Sequence, residues 1–118
     1  MSRPYSVRAG LLIAVAVLSI APLGALANAG GAEPIQIKLL KGHFEPQTLT
    51  VPAGQPLVLS VSNVTDKTAE FESFKLNREK VVEPGQTITV RVGPLSPGSY
   101  DFYDDFNQSV PQGSIVAR

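Results

Sequence analysis

The sequence predicts an all-β domain, a Greek-key β-sandwich or barrel, preceded by a signal peptide. Three observations favour this fold class. Apolar and polar residues alternate with a period of two in several short segments, as they do in half-buried strands. Glycine and proline, ten of each among 118 residues, punctuate these segments at the spacing of roughly 8–12 residues that is typical of small sandwiches and barrels. No segment shows the helical period of 3.6 residues.

The predicted strands begin after a small-residue linker at residues 30–32. Ile35 to Leu39 alternates apolar and polar residues and forms the first strand. Leu57 to Ser62 is the candidate for a central strand, because its odd positions are all apolar. The remaining strands are predicted at 48–51, 71–72, 78–82 and 87–92, and in a final hairpin from 98 to 116. We expect the core to include Leu57, Leu59, Val61, Ile88, Val90, Tyr100 and Phe102.

The first 29 residues have the features of a secretory signal peptide. Two arginines precede an apolar run from Leu11 to Ile20, and Ala27-Asn28-Ala29 forms a small-x-small cleavage signal. An uncleaved anchor is disfavoured, because a proline and a glycine interrupt the apolar stretch, which is short for the ~20 residues of a spanning helix. We therefore expect cleavage after Ala29, a periplasmic location, and a mature domain of residues 30–118.

Charge and cysteine content exclude several classes of function. Ten basic residues balance ten acidic ones, so nothing indicates a nucleic-acid partner. The chain has no cysteine, and its core must therefore be stable without disulfides. Without cysteine sulfur, a catalytic thiolate, a zinc–thiolate cluster, an iron–sulfur cluster and a blue-copper centre cannot form.

The final hairpin carries the candidate site. Its first strand alternates around Tyr100 and Phe102, and Gly113 leads into the apolar closing strand. Between them lie oxygen donors within nine positions: Asp104, Asp105, Asn107 and Gln112. This loop is the best candidate for a working site on the chain.

The order of the strands and turns resembles the cupredoxins, a family of small copper proteins. The matching pieces are Phe44-x-Pro46, Leu49-x-Val51-x-Ala53-Gly54, Pro97-Gly98-x-Tyr100-x-Phe102 and Gly113-x-Ile115-Val116. The resemblance implies a sandwich of cupredoxin type over nearly all of the mature chain. In its common short form, the last loop of that family reads Cys-x-x-His-x-x-x-x-Met. Asp104, Asn107 and Gln112 stand at the places of Cys, His and Met, so every soft ligand is replaced.

Within the cupredoxins, the chain most resembles the periplasmic branch that accompanies high-affinity iron permeases. That branch has Glu-Phe-Glu-Ser where this chain has Glu70-Phe71-Glu72-Ser73. It has Asp-Phe-His where this chain has Asp105-Phe106-Asn107, so the imidazole of that motif is absent here. The resemblance implies handling of an iron or copper ion, with a membrane iron permease or another uptake component as the partner.

The cupredoxin fold would bring the segment after Asn63 to the final hairpin. Glu70 and Glu72 are two positions apart on a strand and share a face, so we expect them to meet Asp104 and Asp105. Carboxylates suit hard cations such as iron(III), manganese, calcium or magnesium better than copper(I). The predicted metal ligands are Glu70, Glu72, Asp104 and Asp105, with amide oxygens of Asn107 and Gln112 and the chain's one imidazole, His43. The alternative is that the acidic residues are solvated and that His43 is a surface or capping residue.

Two functions are consistent with these features. The first is a periplasmic protein that binds or presents a metal ion for an uptake system. The second is a metal-free module that docks onto a partner membrane protein. An enzymatic role as a ferrous oxidase is weaker, because a redox-tuned copper site needs the Cys and His that are absent from the usual positions. No Ser-His-Asp triad is readable around His43 either.

Overall fold

The computed structural model describes residues 33–118, together with residue 2. These residues form nine strands and no helix, and so include no helix that is long and apolar enough to cross a membrane. The strands are β1 (Ile35–Leu40), β2 (His43–Glu45), β3 (Thr48–Val51), β4 (Leu57–Asn63), β5 (Ala69–Ser73), β6 (Arg78–Val82), β7 (Thr87–Val92), β8 (Gly98–Asp104) and β9 (Gly113–Ala117). The all-β prediction is confirmed, whereas the predicted signal peptide lies outside the described residues.

Two mixed sheets face each other. One has the strand order β2-β1-β4-β7 and the other has the order β3-β9-β8-β5-β6. Each sheet contains one parallel pair, β1 with β4 and β3 with β9, while its other pairs are antiparallel. The chain passes from one sheet to the other five times: between β2 and β3, β3 and β4, β4 and β5, β6 and β7, and β7 and β8. This is a β-sandwich of the predicted type.

The core lies between the two sheets and follows the predicted alternation. The odd positions of β4 and the even positions of β7 are buried against each other. Phe102 is fully buried, and its ring centre lies 5.0 Å from that of Phe44 and 5.4 Å from that of Phe71. The predicted core residues are buried, except that Tyr100 is half-buried beside the core, where its hydroxyl donates to the carbonyl of Ser96 at 2.8 Å.

Gly113 is the first residue of β9 and is paired with Phe102 of β8. A Cβ atom at this position would overlap the Phe102 ring. The glycine is therefore required by the packing of the central aromatic ring. The prediction that Gly113 leads into the closing strand is correct, and the packing explains why no side chain fits there.

Candidate metal site

Asn63 organises the end of the sandwich at which the predicted site lies. It is the last residue of β4 and is buried. Its Nδ2 donates to the carbonyls of Lys67 at 2.7 Å and Val82 at 2.9 Å, and its Oδ1 accepts from the backbone N–H of Thr65 at 3.0 Å. These bonds fix the loop of residues 64–68. The loop then delivers the chain into β5.

Asp104 closes β8 and takes part in the sheet. It is paired with Phe71 of β5 and is only 5% exposed, on the same side of the strand as Phe102. Its Oδ1 accepts from the backbone N–H groups of Glu70 and Phe106, each at 3.0 Å. The carboxylate at the place of the family's cysteine therefore joins two strands and holds the start of the final loop.

Two of the other predicted ligands of the final loop, Asp105 and Asn107, form hydrogen bonds within that loop. Asp105 Oδ1 accepts from Gln108 Nε2 at 3.1 Å, and Asn107 Oδ1 accepts from the Ser109 hydroxyl at 2.5 Å. Gln112 is exposed, and its backbone carbonyl accepts from Gln47 Nε2 at 3.2 Å. Asn107 and Asp105 are also exposed.

His43 belongs to the four-stranded sheet. It is exposed at the start of β2, an edge strand of the four-stranded sheet, opposite Leu40. Glu70 and Glu72 belong to the five-stranded sheet. The predicted ligands therefore belong to four parts of the structure. Asp104 is on the inner side of β8, and His43 is on an edge strand of the four-stranded sheet. Asp105, Asn107 and Gln112 are in the final loop, and the two glutamates of β5 are on the outer face of the five-stranded sheet.

Three glutamates do come together on the outer face of the five-stranded sheet. Glu70 and Glu72 share that face on β5, as predicted, and Glu79 of β6 is paired with Glu72. Ligand oxygens of the three carboxylates all lie within 4.8 Å of one another. Glu79 was missed from the sequence, although the hairpin pairing of Ser73 with Arg78 sets the register that places it opposite Glu72.

Tyr103 borders this cluster from β8, where it is paired with Glu72 on the other side of β5. The pKa of its phenol is raised, first by burial and then by a hydrogen bond to the Glu72 carboxylate and by the negative charge around it. The pKa of Glu70 is also raised, first by burial and then by repulsion from Glu79, Asp105, Glu72 and Asp104. The carboxylates therefore repel one another, and a bound cation would reduce that repulsion.

The donor set decides which metals the cluster suits. Oxygen atoms that share one hard cation lie at most about 5 Å apart, given metal–oxygen distances of about 2.3–2.6 Å for calcium and less for smaller ions. The three carboxylates meet this condition. A blue-copper centre does not fit, because there is no cysteine and the residues at the family's ligand positions are Asp104, Asn107 and Gln112.

Comparisons with known proteins agree with this architecture. A family model described as a cupredoxin-like domain matches residues 10–117. An uncharacterized protein of Rickettsia prowazekii (strain Madrid E), RP394, is 37% identical over 86 residues, which cover 71% of this chain and 69% of that protein.

Solved structures share the fold at low sequence identity. The metal-binding domain of the Streptococcus pneumoniae D39 Cu(I)-exporting P-type ATPase CopA, solved with Cu(I), is similar with a TM-score of 0.66 and 18% identity, over 75% of this chain and 88% of that one. The blue copper protein auracyanin A from Chloroflexus aurantiacus has a TM-score of 0.62 and 16% identity, over 75% of this chain and all of that one. This chain belongs to the cupredoxin-like domain family.

Proposed function

We propose that this protein is an exported, periplasmic cupredoxin-like protein that binds a hard metal cation and presents it to an iron-uptake system. The observation that carries the proposal is the convergence of Glu70, Glu72 and Glu79, whose carboxylate oxygens lie within 4.8 Å of one another. The raised pKa of Glu70 supports it, because the neighbouring carboxylates that cause part of that shift would be neutralised by a cation.

Iron is the preferred cargo in this proposal. Oxygen-only ligands favour iron(III), manganese or another hard cation over copper(I), which prefers sulfur. The affinity for copper(II) should be measured beside the affinities for iron and manganese, since similar structures belong to proteins named for copper. The cation is a bound cargo in this proposal, and no redox step is assigned to the protein.

The cellular setting is proposed from the sequence. The features of residues 1–29 support export and cleavage after Ala29. The Glu-Phe-Glu-Ser motif at residues 70–73 supports a membrane iron permease, or another uptake component, as the partner. Two of the three clustered glutamates belong to that motif, which links the proposed partner to the proposed metal site.

Titration calorimetry with iron(II) under anaerobic conditions, manganese(II) and copper(II) tests this function. We expect the wild type to bind iron or manganese, and the double variant Glu72→Gln with Glu79→Gln to bind at least about tenfold more weakly, because two of three anionic ligands are lost. Glu45→Gln is the matched control, since Glu45 is an exposed glutamate on the other sheet. Equal affinities in the wild type and the double variant would contradict the proposed site.

The second candidate is a metal-free module that docks onto a partner. It is supported by the residues at the family's ligand positions, which form hydrogen bonds within the protein. Asp104 accepts from the backbone N–H groups of Glu70 and Phe106, and Asn107 accepts from the Ser109 hydroxyl. If the wild type binds none of these cations, this second function becomes the better description. A pull-down with the purified permease would then be the experiment of choice.

A further inference from the structure

The two sheets each end in an edge strand on the same side of the sandwich. β6 is the last strand of the five-stranded sheet, and β7 is the last strand of the four-stranded sheet. Among residues 33–118, the backbones of these two strands are not paired with each other, since β6 is paired with β5 and β7 is paired with β4. An edge strand presents N–H and C=O groups to which the strand of another molecule can bind. The structure of this side of the sandwich therefore bears on association.

Two basic side chains of β6 bridge to the backbone of β7. Arg78 Nε donates to the carbonyl of Arg91 at 2.9 Å. Lys80 Nζ donates to the carbonyl of Thr89 at 3.2 Å. Arg78 and Lys80 alternate with the same parity as Val82, which is buried, so both side chains leave the inner side of β6 toward the other sheet. Side-chain bonds in antiparallel order thus take the place of a backbone ladder between the two edge strands.

The carbonyls that accept these bonds lie on the free edge of β7. In an antiparallel pair, alternate residues exchange both backbone hydrogen bonds with the neighbouring strand, and the residues between them direct their N–H and C=O to the opposite side. The carbonyls of Thr89 and Arg91 accept from β6, so these two residues belong to the set that points away from β4. Their carbonyls are the acceptors that an added strand would use, and the side chains of Arg78 and Lys80 occupy them.

The sequence of β7 favours pairing with a second copy of itself. It reads Thr-Ile-Thr-Val-Arg-Val, in which every residue except Arg91 is β-branched and none is glycine or proline. An antiparallel pair with Thr89 opposite the same residue of the second copy places Arg91 opposite Thr87, so no like charges are opposed. We propose that Arg78 and Lys80 keep this protein monomeric by occupying the outward carbonyls of β7, and that without them two copies of the chain pair through their β7 strands.

Sedimentation velocity of the purified protein over a range of concentrations, with chelator present, tests this inference. We expect a monomeric wild type, and a dissociation constant for self-association that is at least about tenfold lower in Arg78→Ala with Lys80→Ala. Lys38→Ala with Arg118→Ala is the matched control, because it removes one lysine and one arginine from exposed positions outside β6 and β7. A monomeric double variant, a dimeric wild type, or equal association of the control would overturn the inference.

A third substitution tests whether the contact is at β7. Proline lacks a backbone N–H, and it is tolerated in an edge strand where that N–H points away from the neighbouring strand. The N–H of Thr89 lies on the free edge together with its carbonyl, so Thr89→Pro leaves the ladder with β4 in place. Added to Arg78→Ala with Lys80→Ala, it should restore the monomer. Association that persists in the triple variant would contradict pairing through β7.

A measurement on the wild type does not depend on the folding of any variant. The Nε–H of Arg78 donates to a backbone carbonyl at 2.9 Å, so it should exchange with solvent at least about fivefold more slowly than the Nε–H of the exposed Arg118. NMR of the arginine side chains measures both rates. Equal rates would show that Arg78 does not hold the edge of β7, and the inference would be wrong.

This inference goes beyond the proposed metal function and does not depend on it. The double variant Glu72→Gln with Glu79→Gln retains Arg78 and Lys80, and it should stay monomeric as the wild type does. A loss of cation binding in that variant leaves the expected result here unchanged. Self-association of the glutamate variant would contradict the role given to the two basic side chains.

Discussion

Glu72 lies directly opposite Glu79 across the β5–β6 pair, and oxygens of both carboxylates fall within the same 4.8 Å cluster as Glu70. Like charges at directly opposed strand positions destabilise a sheet. Repulsion between the two carboxylates therefore opposes folding of the metal-free protein, and a bound cation would reduce it.

The first prediction concerns stability against pH in the metal-free protein. The pKa of Glu70 in the folded state lies above its ordinary value of 4.5, so the folded protein holds this proton more tightly than the unfolded chain does. The resulting stabilisation is fully present below pH 4.5 and is lost as the pH rises through the folded-state value. Glu70→Gln should therefore raise the free energy of unfolding at pH 7 relative to the wild type.

Urea denaturation of both proteins between pH 4 and pH 8, with chelator present, measures this difference. The gain from Glu70→Gln should shrink as the pH is lowered, because the wild-type carboxyl then becomes neutral as well. A gain that is independent of pH, or a loss at pH 7, would show that repulsion at Glu70 is not the cause.

The second prediction concerns the pH dependence of metal binding. Protons compete with a cation for carboxylate oxygens, and a group with a raised pKa is protonated at a higher pH. Affinity should begin to fall while the pH is still above the ordinary glutamate value of 4.5, because the pKa of Glu70 is raised. Titrations at several pH values should show a smaller loss in Glu70→Gln than in the wild type over the upper part of this range.

The third prediction separates the two oxygens of Asp104. Asp104→Ala removes the acceptor of two backbone N–H groups in a nearly buried position, and should destabilise the protein by about 2 kcal/mol or more. Asp104→Asn keeps an Oδ1 acceptor and should cost less. Denaturation midpoints of the two variants compare them. Equal destabilisation would mean that the charge, and not the two hydrogen bonds, is what matters.

The fourth prediction concerns the core. Val90→Ala should lower the free energy of unfolding by roughly 1–3 kcal/mol through lost burial and a cavity. Gly113→Ala should cost about 1–3 kcal/mol for the opposite reason, because its methyl group would overlap the Phe102 ring. Ser114→Ala, at the next and half-buried position, is the control and should be nearly neutral. A neutral Gly113→Ala would refute the close approach of the two strands.

The fifth prediction concerns colour. The protein should remain free of an intense visible thiolate charge-transfer band when copper(II) is added, since no cysteine is present. Absorption spectroscopy on the isolated chain checks this. A strong blue colour would contradict the exclusion of a blue-copper centre.

Much of the fold could be predicted from the sequence, because each strand is half-buried and its alternation records which face meets the core. The buried residues of β4 and β7 follow this rule directly. The orientation of Asp104 could also be predicted. It lies two positions after Phe102 on the same strand, so both side chains belong on the inner face. The structure nevertheless places it beside Glu70, whose backbone N–H donates to Asp104 Oδ1 at 3.0 Å.

The composition of the glutamate cluster was harder to predict. Alternation along one strand places Glu70 and Glu72 on one face, but it says nothing about which strand lies beside them. Glu79 joins them only because β5 and β6 pair through a hairpin whose register is set by the turn. Likewise, the loops that follow β1, β4 and β8 are distant in sequence. They lie close together because of the strand order, which alternation along single strands does not reveal.

The most direct test of the metal-binding proposal is a crystal structure of the protein soaked in manganese(II), with anomalous scattering data collected to locate the ion. The account predicts one strong anomalous peak at about 2.0–2.4 Å from carboxylate oxygens of Glu70, Glu72 and Glu79. A structure that shows no peak at these residues, or shows the ion bound only at the final loop of residues 105–112, would contradict it.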